Sequence, residues 1–407
     1  MHPTLEATMA RGRAAGVTQR SARAIGRDGR TVILEPDGRE VIAFATCSYL
    51  GLDRDPRLAA GAIAAIEHHG VAFSASRCFV TSPLYAEAEA LLSDVFRQPV
   101  VLAGSTTLAH AAALPMLLDR RDVVLFDHQV HHSVQTALAS LGARGPQCEA
   151  APHGDLDALE SAIVAVLAKG TRRVWYCADG IYSMFGDRLD VTGLAALMAR
   201  YPALHVYLDD AHGMSWCGTH GAGSLVDAAL PIDRTVIATS LGKGFGCTGG
   251  VLVVPDVATK HRIENLGPSL MFSIQLPPPV LGAVCASARI HRSAEITTMQ
   301  RELADRVAFA RALFRTHPEL ARRLGRAGDQ STPIHYVTIG NTDAVIDAAS
   351  ALLSQGFLVN PVAFPAVPRN AGGLRITITR SHTEADIRAL AHALVDVLPA
   401  AAEPRVA

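Results

Sequence analysis

Aromatic residues are scarce in this chain, only 5% of 407, so any core must be filled by alanine, valine and leucine. An excess of charge is also missing: 37 Lys and Arg face 38 Asp and Glu, a formal charge of −1. That removes any global pull toward nucleic acid or an anionic membrane surface. No uninterrupted apolar run approaches the roughly 18 residues of a membrane span. The seven cysteines (Cys47, Cys78, Cys148, Cys177, Cys217, Cys247 and Cys285) include no CxxC pair. They read as reduced thiols in a cytoplasmic protein, and Cys247 as a small packing residue. The first thirty residues hold six arginines but no apolar segment of signal-peptide length. A solvated leading helix is expected there rather than a transit peptide.

What is abundant is small and apolar. Hydrophobic residues make up 49% of the chain, which excludes a disordered protein, and the length suits one large domain with a smaller one. Residues 1–45 read as a helix followed by a hairpin around Pro36-Asp37-Gly38. Helical spacing recurs over Arg57–His69 and Leu84–Phe96. Then short β-prone runs at Val100, Val123, Arg173, His205, Thr235 and Gly250 alternate with helical segments. Such alternation predicts a mostly parallel sheet with helices on both faces and chemistry at the carboxyl ends of its strands. A helix over Ser287–Thr316 should lead to a smaller α+β unit with strands near Ile334, Phe357 and Leu374. The expected domains are 1–45, 46–290 and 291–400, followed by an Ala, Glu and Pro tail.

Polar clusters fall at those strand ends. Lys243 stands in Thr239-Ser240-Leu241-Gly242-Lys243-Gly244, downstream of Tyr207-Leu208-Asp209-Asp210-Ala211-His212. A lysine in a glycine-lined turn, with a carboxylate and hydroxyls nearby, suits pyridoxal phosphate. That cofactor needs an amine for a Schiff base, a carboxylate to keep its ring nitrogen protonated, and donors for its phosphate. Asp209 is the candidate carboxylate, although a strand-ending Asp also caps turns; His212 is placed to donate to the ring's phenolic oxygen.

Asp127 to Ser133 holds three histidines. Without a Cys or carboxylate pair at metal-ligand spacing no metal is expected, and His131 is the candidate for stacking on the ring. Gly104-Ser105-Thr106-Thr107 follows a strand and opens a helix, offering Ser105 and Thr106 to an anion or merely capping the helix. Ser240 adds a phosphate contact, and Ser183 reaches the phenolic oxygen or the phosphate. Arg375, inside a β-prone run, suits a substrate carboxylate unless it is an edge-strand arginine; Arg77 is a second candidate, with a structural role as the alternative.

Taken in order, these segments resemble the α-oxoamine synthases of the fold-type I pyridoxal-phosphate enzymes. Ser48-Tyr49-Leu50-Gly51-Leu52 is similar to N-Y-L-G-L, and Asp179–Asp187 to E-G-x-x-S-M-x-G-D. Leu208–Gly213 with Gly218–Gly223, Ser240–Lys243, and Pro365–Pro368 with Leu374-Arg375 match the later motifs. The resemblance implies that Lys243 is the Schiff-base lysine, Asp209 pairs with the ring nitrogen, His212 and Ser183 hold the phenolic oxygen, and His131 stacks. It further implies that Arg375 takes the substrate carboxylate, with Ser48 nearby, and that Ser240 and the backbone at Ser105 and Thr106 bind phosphate. A homodimer with shared active sites is implied, Ser273 donating to the neighbour's cofactor. The turn at 104–109 lacks the family's aromatic and asparagine, Ser48 replaces an asparagine, serines replace the glycines before Arg77, and Tyr85 replaces a histidine.

The implied reaction joins an α-amino acid to an acyl thioester, on coenzyme A or an acyl carrier protein, giving an aminoketone, carbon dioxide and thiol. An aminotransferase or lyase on the same fold would use the same lysine and aspartate. A non-enzymatic binding protein of this fold would have no need of Lys243, Asp209, His212 and His131 together.

Overall fold

The computed structural model describes residues 3–26, 28–325, 331–368 and 370–398; the expected tail lies outside them. Helices begin where the sequence supplies caps. Asp55, Ser82, Ser105, Asp155, Asp190 and Asp256 each accept a backbone N–H from the first turn of the helix that follows. Pro56 and Pro83 occupy first-turn positions, where a missing N–H does no harm.

The packing divides the chain into two compact units. One comprises residues 52–182 and 188–300, the other 1–51, 183–187 and 301–407. The first is built on a seven-stranded sheet. From edge to edge its order is Val100–Ala103, Gly250–Val253, Thr235–Ser240, Leu204–Asp209, Val174–Asp179, Val123–Asp127 and Gln147–Ala151. Only Gly250–Val253 runs antiparallel to its neighbours; the other pairings are parallel.

Strand alternation explains why these runs read as continuously apolar. Val100, Leu102, Leu125, Tyr176, Val206, Leu208 and Ile237 belong to one buried cluster. Val101, Ala103, Val124, Trp175, Cys177, Tyr207 and Ala238 belong to the other. Both faces are therefore covered, as a βα alternation requires. Helices Pro83–Phe96, Leu156–Ala168, Val191–Arg200 and Pro278–His291 contribute to the first cluster. Thr106–Leu117 and His132–Ser140 contribute to the second.

The other unit joins the two ends of the chain. Thr31–Leu34 and Glu40–Ala43 form the expected hairpin, turning at Gly38 with φ +67°. Phe357–Leu358 extends that sheet in parallel with Glu40–Ala43. Ile334–Gly340, Gly372–Thr377 and Asn360–Val362 make a three-stranded antiparallel sheet.

Two elements differ from expectation. The edge strand Gln147–Ala151 is mostly exposed and carries no apolar alternation. The helix expected over Ser287–Thr316 is two helices, Pro278–His291 and Glu295–Thr316. Ser293 restarts the second by accepting the Glu295 N–H at 3.3 Å.

Candidate active site

The loops leaving the carboxyl ends of the sheet surround a cavity of about 300 Å³ lined by Lys243, Asp209, His212, His131, Asp179, Ser105, Thr106 and Ser240, among others. Thr235–Ser240 delivers the lysine. The Gly242 N–H donates to Ser240 Oγ at 3.1 Å, and the Gly246 N–H closes on the Lys243 carbonyl at 2.9 Å. Gly246 has φ +79°, and a Cβ there would lie 2.5 Å from the Asp53 nitrogen, so no other residue fits the turn.

Asp209 ends its strand only 4% exposed. Oδ1 accepts the Ala211 N–H at 2.9 Å, and Oδ2 faces His110 Nε2 at 3.1 Å. His110 in turn meets the Tyr207 hydroxyl through Nδ1 at 2.7 Å. Burial pushes the Asp209 carboxyl up, but His110, the Lys243 charge and the Ala211 N–H outweigh it and hold it below the ordinary value. Asp179 stands beside Asp209 on the adjacent strand. Burial, then the negative Asp209, pushes that acid well above the carboxylate range.

His131 caps the helix His132–Ser140. Its backbone N–H donates to Asp179 Oδ1 at 3.0 Å, and Nδ1 accepts the Ser133 N–H at 3.3 Å. An amide N–H only donates, so the proton of the neutral ring lies on Nε2. Partial burial lowers the imidazole pKa; Asp209 opposes and Lys243 reinforces this. The neighbouring Asp127 pins the loop that carries His131. It accepts from the Gln129 N–H at 2.8 Å and the Tyr182 hydroxyl at 2.8 Å, and it pairs with His153 at 3.0 Å.

At the other end of the cavity Ser105 caps the helix Thr106–Leu117 through the Leu108 N–H at 3.2 Å. The strand beneath approaches so closely that a Cβ on Gly250 would lie 2.6 Å from the Thr106 nitrogen. First-turn amides with hydroxyls around them form an anion site.

Arg375, Ser183 and Ser48 lie in the other unit. Arg375, only 5% exposed, donates to the Ser183 carbonyl at 2.6 Å, Thr377 Oγ1 at 3.1 Å and Cys47 Sγ at 3.8 Å. Among the described residues no carboxylate pairs with this guanidinium. Ser48 is half-buried, and its carbonyl accepts the Gly51 N–H at 3.1 Å.

Arg77 is engaged elsewhere. It pairs with Glu89 at 2.6 Å and Glu264 at 2.8 Å, and stacks over Tyr85 at 4.5 Å. Arg77→Ala would leave the buried Glu89 and the half-buried Glu264 with Lys260 as the cation still paired to them, and is expected to cost about 3 kcal/mol of stability, read as a lower denaturant midpoint. Ser273 lies between the exposed Phe272 and Ile274, away from the cavity lining.

His110 and Asp179 carry much of the electrostatics and were not singled out in the sequence. The available signal for His110 was a lone polar ring in the alanine-rich helix Ala109-His110-Ala111-Ala112. No group of three His, Cys, Asp or Glu side chains among the described residues is arranged to hold a metal ion. No described helix is long and apolar enough to cross a membrane.

Residues 39–394 match the model of the family "Aminotransferase class I and II". The 8-amino-7-oxononanoate synthase of Nitrosococcus oceani is 31% identical over 370 residues, covering 90% of this chain and 93% of that one. That of Geobacter sulfurreducens is 32% identical over 375 residues, covering 90% and 91%. The serine palmitoyltransferase of S. paucimobilis, solved with pyridoxal phosphate and myriocin bound, superposes with a TM-score of 0.84 at 22% identity, covering 97% and 96%. That likeness gives the fold, the fold-type I architecture that the family resemblance implied. With most of the chain inside the family model and relatives above 30% identity over nine-tenths of it, the chain belongs to the aminotransferase class I and II family, among its α-oxoamine synthases.

Proposed function

We propose that the protein is a pyridoxal-phosphate-dependent C-acyltransferase that condenses an α-amino acid with an acyl thioester, carried on coenzyme A or an acyl carrier protein. The observation that carries this reading is one cavity in which Lys243, Asp209 and His131 stand beside the first turn of the helix at Thr106. These groups fit pyridoxal phosphate: an amine for its aldehyde, an ionised carboxylate for its ring nitrogen, and amides with hydroxyls for its phosphate.

When bound, the cofactor supplies an electron sink for the carbanion at the amino acid's alpha carbon. The residues of the chain do the rest. Lys243 holds the cofactor and takes the alpha proton on Nζ. Asp209, ionised and fixed by His110 and Ala211, keeps the ring nitrogen protonated. His131 would stack on the ring and offer Nε2–H to the thioester carbonyl, while His212 and Ser183 would serve the phenolic oxygen. Ser105, Thr106 and Ser240 bind the phosphate, and Arg375, near Ser48, takes the amino acid's carboxylate. In sum, the alpha carbon bonds to the acyl carbon as the carbon–sulfur bond breaks. Carbon dioxide then leaves, and two protons enter, one on the alpha carbon and one on the thiolate, against the one first removed.

The working form we propose is a homodimer. Phe79 and Phe272, each 85% exposed, and Ile274, 74% exposed, sit on two segments bridged at Ser76 and Ile274. Such an apolar cluster suits burial by a second copy that receives Ser273. Seven unpaired cysteines suit the reducing cytoplasm.

The test is thiol release from short, medium and long acyl thioesters with glycine, alanine or serine and added pyridoxal phosphate. Thiol and carbon dioxide should appear in equal amounts and only with both substrates. Amine exchange with a keto acid, and no thiol from any pair, would replace this reading with an aminotransferase. Arg375→Lys should raise the KM of the amino acid by about tenfold to a hundredfold and leave that of the thioester unchanged, since a point cation loses the bidentate grip.

A further inference from the structure

Asp179 and Asp209 end neighbouring parallel strands in register, their backbones about 5 Å apart across the ladder. Both line the cavity, and they are 2% and 4% exposed. Two carboxylates so close and so shielded do not both ionise at neutral pH. The hydrogen bonds decide which one gives way. Asp209 has a donor for each oxygen, His110 Nε2 at 3.1 Å and the Ala211 N–H at 2.9 Å. Asp179 has one, the His131 N–H on Oδ1 at 3.0 Å, and among the described residues none reaches its other oxygen.

The charged and titratable groups facing Asp179 are Asp209, Lys243, Asp127, His131 and Tyr182. Burial, the negative Asp209 and the more distant Asp127 favour its neutral form, against Lys243 and the His131 N–H.

Sheet order fixes what the protonated oxygen meets. Ser105 and Thr106 follow one strand and Ser240 ends another on one side of Leu204–Asp209, and Asp179 ends the strand on the other side. A pyridoxal ring likewise carries its phosphate arm and its phenolic oxygen on opposite flanks of the ring nitrogen. With the nitrogen at Asp209 and the phosphate at the helix terminus, the phenolic oxygen falls on the Asp179 flank.

We propose that Asp179 is kept as an uncharged carboxylic acid and donates a hydrogen bond to the phenolic oxygen of bound pyridoxal phosphate, joining His212 there. This rests on the pyridoxal-phosphate reading above. What the site takes from Asp179 is its proton, not its charge, so an amide can replace it.

The test compares Asp179→Asn with Asp179→Ala in the holoenzyme. Asp179→Asn should bind pyridoxal phosphate within about threefold of the wild type and keep the pH titration of the bound cofactor's visible band. Asp179→Ala should weaken binding by about tenfold to a hundredfold and shift that titration toward higher pH. Infrared difference spectra should carry the carbonyl stretch of a protonated acid in the wild type and lose it in Asp179→Asn; this readout survives if the alanine variant folds poorly. Losses in Asp179→Asn as large as in Asp179→Ala, or no acid band in the wild type, overturn the proposal. A wild type that takes up no pyridoxal phosphate overturns the reading of the whole site along with it.

Stability reports the same state. The folded pKa is raised, so what Asp179 contributes is fully present below its unfolded pKa of about 3.9 and fades as pH rises toward the folded value. The melting-temperature difference between Asp179→Asn and the wild type should therefore move in the asparagine variant's favour as pH rises from about 4.

Discussion

Lys243→Ala is expected to abolish the visible band of protein-bound pyridoxal phosphate and to lower thiol release by about 10⁴-fold or more. One side chain is assigned both the hold on the cofactor and the movement of the alpha proton, so a single truncation removes two functions. The fold should be indifferent. The turn is closed by backbone bonds, Gly246 N–H to the Lys243 carbonyl and Cys247 N–H to Leu241, and alanine keeps both. The lysine is half-buried, so the melting temperature should change little. Removing the cation does alter the field: Lys243 lowers both Asp209 and Asp179, so both acids should titrate at higher pH in the variant. A small exogenous amine that restores part of the turnover would locate the missing function in the amine itself. A variant that keeps the band or the activity would move the covalent site to another residue.

The residues whose place around the cavity was legible in the sequence share one property: their partners are near in sequence or repeat a strand-end pattern. Asp209 and His212 follow a β-prone run, Lys243 sits in a glycine-lined turn, and Ser105 caps a helix after a strand. Six strands of the sheet were legible for a different reason: they are apolar on both faces. Gln147–Ala151 was not, since an exposed edge strand carries no alternation. His110, on a helix, and Asp179, on a strand, both draw their meaning from the strand that ends in Asp209. His110 acts on Asp209 from 99 residues away, and Asp179 matters only because the ladder sets it beside Asp209. Arg77 shows the converse. Its type was visible, but its partners lie 12 and 187 residues distant, and only the folded chain reveals an ion-pair network there.

Asp209→Asn is expected to lower turnover by about 10³-fold and to weaken cofactor binding by about tenfold to a hundredfold, because an amide cannot hold a proton on the ring nitrogen. The variant also tests how the buried chain from Tyr207 to Asp209 is wired. Each carboxylate oxygen now has one donor, Ala211 N–H and His110 Nε2, whereas an amide offers a single acceptor oxygen. The Ala211 N–H has no alternative role, so the amide oxygen stays with it and the NH₂ turns to His110. His110 must then accept at Nε2 and carry its proton on Nδ1, donating to the Tyr207 oxygen, a tautomer change visible in nitrogen NMR of the ring. The wild-type Asp209 pKa is lowered, so its stabilising contribution is present above the ordinary carboxylate value and lost as pH falls through the folded one. That acid limb should disappear in Asp209→Asn. With the neighbouring charge gone, Asp179 loses its second-largest reason to stay neutral, and its acid band should titrate away at lower pH than in the wild type. If that titration does not move, the two carboxyls are not sharing one field, and the division into one charged and one neutral acid fails with it.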